Sequence, residues 1–213
     1  MLWDARKPGA EIYFPVSGLI SMIVVMSDGN SVEVGSISAE GAVGPAFQPD
    51  LSDLPTRGVV QIGGTLIRIS ASQLLLAAKE NGEIENLVGF CRDWILIQAQ
   101  QEAGCNAVHS ADKRLCRWLF QASERMETDT LLLTQEMIAS VLGIRRTTVT
   151  LIAQTLQAEG LIRYKRGRIS VLNRARLRSA ACECCNSLSR QCWPSTRLLD
   201  RSNSKQQLAQ MGN

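Results

Sequence analysis

Gln135, Ala139, Gly143 and Val149 stand four, four and six residues apart, and this spacing constrains the fold more than any other feature of the 213-residue chain. Thr134 can cap a helix whose apolar face is Met137, Ile138, Val141 and Leu142, with Glu136 favourably placed in its first turn. Gly143 stops that helix. A second begins near Arg146, buries Val149, Ile152, Ala153 and Leu156, and ends at Gly160. Two short helices joined across a glycine predict a helix-turn-helix. Ala139 is small enough for close helix approach, Gly143 supplies the turn conformation, and Val149 fills the angle between the helices.

The outer face of the second helix carries Arg145, Arg146, Thr147, Thr150, Leu151 and Gln154. Arg145, Arg146, Thr147, Thr150 and Gln154 are therefore the candidate base readers, because Arg can be bidentate to guanine and Gln to adenine in a major groove. After Gly160, residues 161–164 and 168–172 read as two strands around Lys165-Arg166-Gly167, a β-wing. Arg163, Lys165, Arg166 and Arg168, with Thr134 and Thr148, suit phosphate contacts, which position a module without reading sequence.

Charge agrees with this reading. Net charge is +3, but residues 1–133 hold ten Lys and Arg against sixteen Asp and Glu, whereas 134–178 hold nine Arg and Lys against two Glu. A short basic module on an acidic body implies a polyanion partner.

Upstream, 12–16, 19–26, 31–37, 56–62 and 66–69 are short β-like runs, with Asp28-Gly29 and Gly63-Gly64 as hairpin signals. Close spacing without intervening helices predicts an antiparallel roll. Ser70-x-x-Gln73 has capping-box spacing and predicts a short helix. From about 83 to 104, Ile84, Leu87, Val88, Cys91, Trp94, Ile95 and Gln98 recur at helical steps; such a stripe packs either on its own β-domain or on the same helix of a second copy of the chain, and its length favours the second. A further amphipathic helix is expected at 107–123. The expected organisation is α+β: a β-roll sensor at 1–82, a dimer helix at 83–104, a winged helix-turn-helix at 105–178 and a Cys-containing flexible tail at 179–213.

The chain resembles the Crp/Fnr superfamily of bacterial transcription regulators over about 10–185. The residues that carry the resemblance are Tyr13-Phe14-Pro15, Gly18, Asp28-Gly29 and Glu40-Gly41-x-x-Gly44 in the β-region. Cys105-Asn106-x-x-His109 and Arg114-Leu115-x-Arg117-Trp118-Leu119 match at the junction. In the reader they are Leu133-Thr134-Gln135-Glu136 through Leu142-Gly143-x-Arg145-Arg146-x-x-Val149, then Gly160-Leu161-Ile162 and Arg166-Gly167. The resemblance implies a cyclic-nucleotide-binding-like β-roll, a dimer on a two-fold symmetric double-stranded DNA operator, RNA polymerase as a further partner, and an effector site near Glu40, Gly41, Gly44 and Arg57.

There are departures. The cyclic-AMP receptors of the superfamily hold the ribose with a Glu where this chain has Gly41-Ala42-Val43-Gly44, and their phosphate-binding Arg-Ser is Arg57-Gly58 here. The iron-sulfur branch uses N-terminal cysteines, and no Cys precedes Cys91. The β-roll is also N-terminally shortened relative to the superfamily pattern. The expectation is a protein without cofactor, with neither cyclic AMP nor an iron-sulfur cluster.

Seven Cys without framework spacing predict reduced thiols. Cys182, Cys184, Cys185 and Cys192 lack the paired two-to-four-residue spacing usual for structural zinc, so no metal ligands are assigned, and His109 is expected to pack or cap. An enzyme of the cupin kind needs several His with a Glu, and the β-region has no His. Without an export signal or a membrane span, the protein is expected to be cytoplasmic.

Overall fold

The computed structural model describes residues 1–4, 9–45 and 55–187. Five strands form the N-terminal body: β1 (Glu11–Pro15), β2 (Leu19–Val25), β3 (Ser31–Ile37), β4 (Thr56–Ile62) and β5 (Leu66–Ser70). They make two antiparallel sheets, one of order β3-β2-β4 and one pairing β1 with β5. The central β2 is buried along most of its length, which is why it reads as an apolar run, broken only by Ser21, rather than an alternating one. Asp28-Gly29 turns β2 into β3 as expected, with Gly29 at φ +85°. Gly63-Gly64 does not make a hairpin: β4 pairs with β2 and β5 with β1, so the chain crosses between sheets there. Trp3 closes one end by lying across Gly58, where a Cβ would fall 2.0 Å from the indole ring, and by stacking on Tyr13.

Helix α1 (Ala71–Glu80) follows β5, but the Ser70 hydroxyl bonds Ser72 Oγ instead of capping the helix, so the capping box does not form. Helix α2 (Gly82–Val108) is longer than the periodicity indicated and is capped by Asn81, whose side chain accepts from the Glu83 and Ile84 amides. Its apolar stripe faces inward. Trp94 packs with Trp3, Ile20, Met22 and Ile37, while Val88 and Cys91 pack with Ile12 and Leu74, and Ile84, Leu87 and Ile95 flank the same clusters. Gln98 is buried and its Oε1 accepts from the Ser36 amide at 3.1 Å. The residues read as a seam to a second copy thus cover the chain's own strands, because an open β-roll must bury its inner face on something.

The second body begins with α3 (Ala111–Arg125), followed by β6 (Thr130–Leu132), α4 (Gln135–Leu142), α5 (Arg146–Ala158), β7 (Ile162–Lys165), β8 (Arg168–Val171), α6 (Arg174–Ala180) and α7 (Cys184–Ser187). The segment between α3 and Thr134 contains the short strand β6, which adds to the wing as β6-β8-β7. Residues 179–187 are not a loose tail: Cys182, Cys184 and Cys185 are buried. The expected tail beyond 187, with Cys192, lies outside the described residues. Among the described residues no helix is long and apolar enough to cross a membrane.

The two bodies meet through α3. Trp118 Nε1 donates to Glu33 Oε1 at 3.0 Å, and Ser21 donates to the other oxygen of the same buried carboxylate. Burial, with repulsion from Glu102, pushes Glu33 up from its ordinary 4.5 to about 7, against the stabilising bonds from Ser21 and Trp118. Between those values the folded protein holds a proton that the unfolded chain has released. Stability therefore falls as pH rises from 4.5 to about 7, by on the order of 3 kcal/mol in all, and is flat above. Urea unfolding across that window should show this slope, and Glu33→Gln should abolish it; a variant that keeps the slope would place the titration elsewhere.

Candidate nucleic-acid interface and a cysteine–histidine cluster

Thr134 caps α4, its hydroxyl accepting from the Met137 amide at 3.2 Å. Gly143 ends α4 at φ +65°, a conformation that favours glycine, and its Cα lies so near the β-body that a Cβ would meet Val32 at 3.2 Å. Val149 is fully buried in the angle between α4 and α5, beside Ala139. Gln135 locks the crossing, since its Oε1 accepts from the Thr150 hydroxyl at 3.0 Å. The motif spacing read from sequence is the spacing that this geometry uses.

On the outer side Arg145, Arg146, Thr147, Leu151 and Gln154 are exposed. Thr148 is half-buried, and Thr150 is committed: its hydroxyl bonds Gln135 and the Arg146 carbonyl, leaving its methyl as the free group. In the wing, Arg166 and Gly167 both have positive φ, which makes the two-residue turn whose twist suits a tight hairpin. Lys165 pairs with Arg168 and Arg163 with Ser170, so Arg163, Lys165 and Arg168 share the exposed face, while Ile162, Tyr164 and Ile169 take the other. The Gly167 carbonyl accepts from the Leu133 amide at 2.9 Å, tying the wing tip to the entry of α4. Part of the basic count is spent internally. Arg174 pairs with Asp129 at 2.5 Å, and Arg178 lies over the Phe120 ring.

The four effector candidates do not converge. Glu40 is buried and pairs with Arg125 at 3.5 Å; Arg57 pairs with Asp4 at 3.0 Å. Gly44 borders a cavity of about 430 Å³ between the strands and α2, lined by Trp3, Met22, Val34, Ile95 and Ala99. Arg57 lines a separate one of about 280 Å³ beside α4, and Gly41 lines neither. The larger volume and apolar lining suit a small ligand.

The expectation of a protein with no metal or cofactor site is corrected by a cluster at the end of α2. Cys105, His109, Cys182 and Cys184 bring their ligand atoms within 4.8 Å of one another. Cys105 Sγ is 3.6 Å from Cys182 Sγ, and Cys184 Sγ is 3.6 Å from His109 Nδ1. Gln101 Nε2 donates to Cys184 Sγ at 2.9 Å, and His109 Nε2 meets Glu183 Oε1 at 3.0 Å. Burial raises the Cys105 and Cys184 thiols above their ordinary range, and the nearby Arg117 charge pulls both back in part. Sequence reasoning discounted Cys182 and Cys184 on their spacing and gave His109 a packing or capping role; Cys105 and Cys182, 77 positions apart, are brought together only by the fold. The remaining signal was His109 four residues after Cys105, one helical turn on.

Residues 113–180 match the Crp-like helix-turn-helix domain. No curated protein is significantly similar to the chain. Among solved structures, FixK2 from Bradyrhizobium japonicum is 17% identical, with a TM-score of 0.72 over 85% of this chain and 92% of that one. A CRP-family transcriptional regulator from Thermus thermophilus is 15% identical, with a TM-score of 0.71 over 84% and 92%. The c-di-GMP-responsive global regulator CLP from Xanthomonas campestris is 18% identical, with a TM-score of 0.64 over 78% and 86%. At such identities the likeness is one of fold, and it spans both bodies. Residues 113–180 thus carry a Crp-like helix-turn-helix domain, set within a fold that the chain shares with these solved regulators.

Proposed function

We propose that the protein binds a two-fold symmetric DNA operator as a homodimer, with Arg145, Arg146, Thr147 and Gln154 reading base edges and the wing gripping phosphates. The observation that carries this is the exposed, basic amino end of α5, held by the Thr150–Gln135 bond and flanked by a wing whose cations share one face. Its work is recognition and regulation rather than catalysis. Bound to an operator it acts in the cytoplasm, where RNA polymerase is the natural further partner. A small ligand in the 430 Å³ cavity, which touches α2, is the effector we infer. Titration of labelled duplex in graded salt tests the reading: affinity should fall steeply with salt, and an affinity independent of salt would overturn it.

The dimer seam follows from what α2 leaves uncovered. Leu96 and Ile97, adjacent on α2, are about half exposed, whereas Trp94 and Gln98 are buried. A second α2 laid against them buries that apolar surface. Ile97→Glu should therefore sediment as a folded monomer and bind operator weakly, whereas Trp94→Glu should unfold the β-body. A dimeric Ile97→Glu variant would move the seam elsewhere.

The two kinds of arginine should separate. Arg146→Ala is expected to cost about 1–3 kcal/mol and to relax preference at one symmetric operator position. Arg166→Ala should weaken all sequences alike and reduce the salt slope by about one per subunit. Selection from a randomised duplex pool checks both, since an unchanged consensus for Arg146→Ala or a changed one for Arg166→Ala would reverse the assignment.

A further inference from the structure

We propose that Cys105, His109, Cys182 and Cys184 form a closed tetrahedral site for zinc, stapling the segment after the wing to the turn between α2 and α3. Three thiols and an imidazole make a soft, four-donor set with no position left for water, which is the ligand count of a structural rather than a catalytic zinc site. The dimensions agree. With Zn–S near 2.3 Å and Zn–N near 2.0–2.1 Å, tetrahedral geometry sets S to S at about 3.8 Å and S to N at about 3.6 Å. The cluster shows 3.6 Å for Cys105 to Cys182 and 3.6 Å for Cys184 to His109, with all four donor atoms within 4.8 Å.

The surroundings fit a ligand set better than a packed core. His109 directs Nδ1 at the sulfurs while its Nε2 meets the Glu183 carboxylate, the arrangement that orients a metal-bound imidazole and raises its basicity. Gln101 donates an N–H to Cys184 Sγ, a bond that favours a thiolate. The three sulfurs are buried, so a metal there is shielded from bulk solvent. A disulfide between Cys105 and Cys182 would employ only two of the four groups and would need the sulfurs to close to about 2.05 Å. Placed where α2 hands over to α3, the site joins parts of the chain far apart in sequence.

The test uses the full chain purified under reducing conditions without chelator, and it reads metal alone, so its outcome is separate from that of DNA binding. Elemental analysis should find one zinc per chain. After removal of metal, added cobalt(II) should give thiolate-to-cobalt charge-transfer absorption and the strong visible bands of tetrahedral cobalt, both lost on addition of zinc. Because this is read on the unaltered chain, it does not depend on any variant folding. Cys182→Ser and Cys184→Ser should lose the stoichiometric metal, and Cys91→Ala, in the β-body, should keep it. Glu183→Gln, at a positioning residue, should weaken zinc affinity about 10–100-fold with the cobalt bands retained. Octahedral or absent cobalt bands, iron with sulfide in place of zinc, a Cys105–Cys182 disulfide in the reduced preparation, or full metal content in both Ser variants would each overturn the assignment.

Discussion

One helix face holds the two bodies together. Arg114, Arg117 and Trp118 lie three and four residues apart on α3, a single turn, and together they reach α2, α4 and β3. Arg114 donates to the Leu142 carbonyl at the end of α4 and to Asn106 in α2. Arg117 makes a bidentate pair with Glu102 of α2 at 2.7 and 2.6 Å, and Trp118 donates to Glu33 of β3. These are buried charged or polar groups, so removing one partner leaves another desolvated without compensation, at a typical cost of about 3–5 kcal/mol for a broken buried ion pair. The orientation of the reader relative to the β-body is set by this turn, and everything proposed about DNA and effector is built on it.

The same turn gives the β-body a physical route to the helix-turn-helix. The apolar cavity touches α2 at Ile95 and Ala99, and α2 carries Gln98 and Glu102, which bond the strands and Arg117. A ligand that shifts α2 acts at once on the Arg117 pair. A second path runs through direct docking of α4 on the strands, where Ser31 meets Ser140 at 2.8 Å and Gln61 donates to the Met137 carbonyl. An effector regulates DNA binding to the degree that it binds two such arrangements with different affinity. The cysteine–histidine cluster sits at the far end of α2, one turn beyond Glu102, and fixes the other side of the same junction.

Local rules made much of this legible. β3 and β4 have the bounds that alternation and turn residues indicate, β2 and β5 differ by one residue at one end, and β1 is shifted by one residue. The helix-turn-helix was readable because each of its constraints is short-range: a cap at Thr134, a left-handed Gly143 and a plug at Val149 all act within sixteen residues. Strand β6 escaped notice because three residues are too few for a period, and it exists only because β8 offers an edge to pair with. The capping role expected of Ser70 failed for an equally local reason, since Ser72 competes for the hydroxyl.

The sequence by itself determined the elements, their amphipathic faces and the reader motif, because these follow from the 3.6 and 2.0 periodicities and from turn chemistry between near neighbours. It did not determine which surface each face meets. The stripe of α2 could have served a second copy or its own strands, and only the open side of the β-roll decided that Trp94 turns inward. Arg57 and Glu40 read as ligand groups until the fold gave each an internal partner. Cys105 and Cys182 became neighbours only when α6 and α7 packed back on α2 and α3. Such convergence depends on the whole path of the chain, and no local period records it.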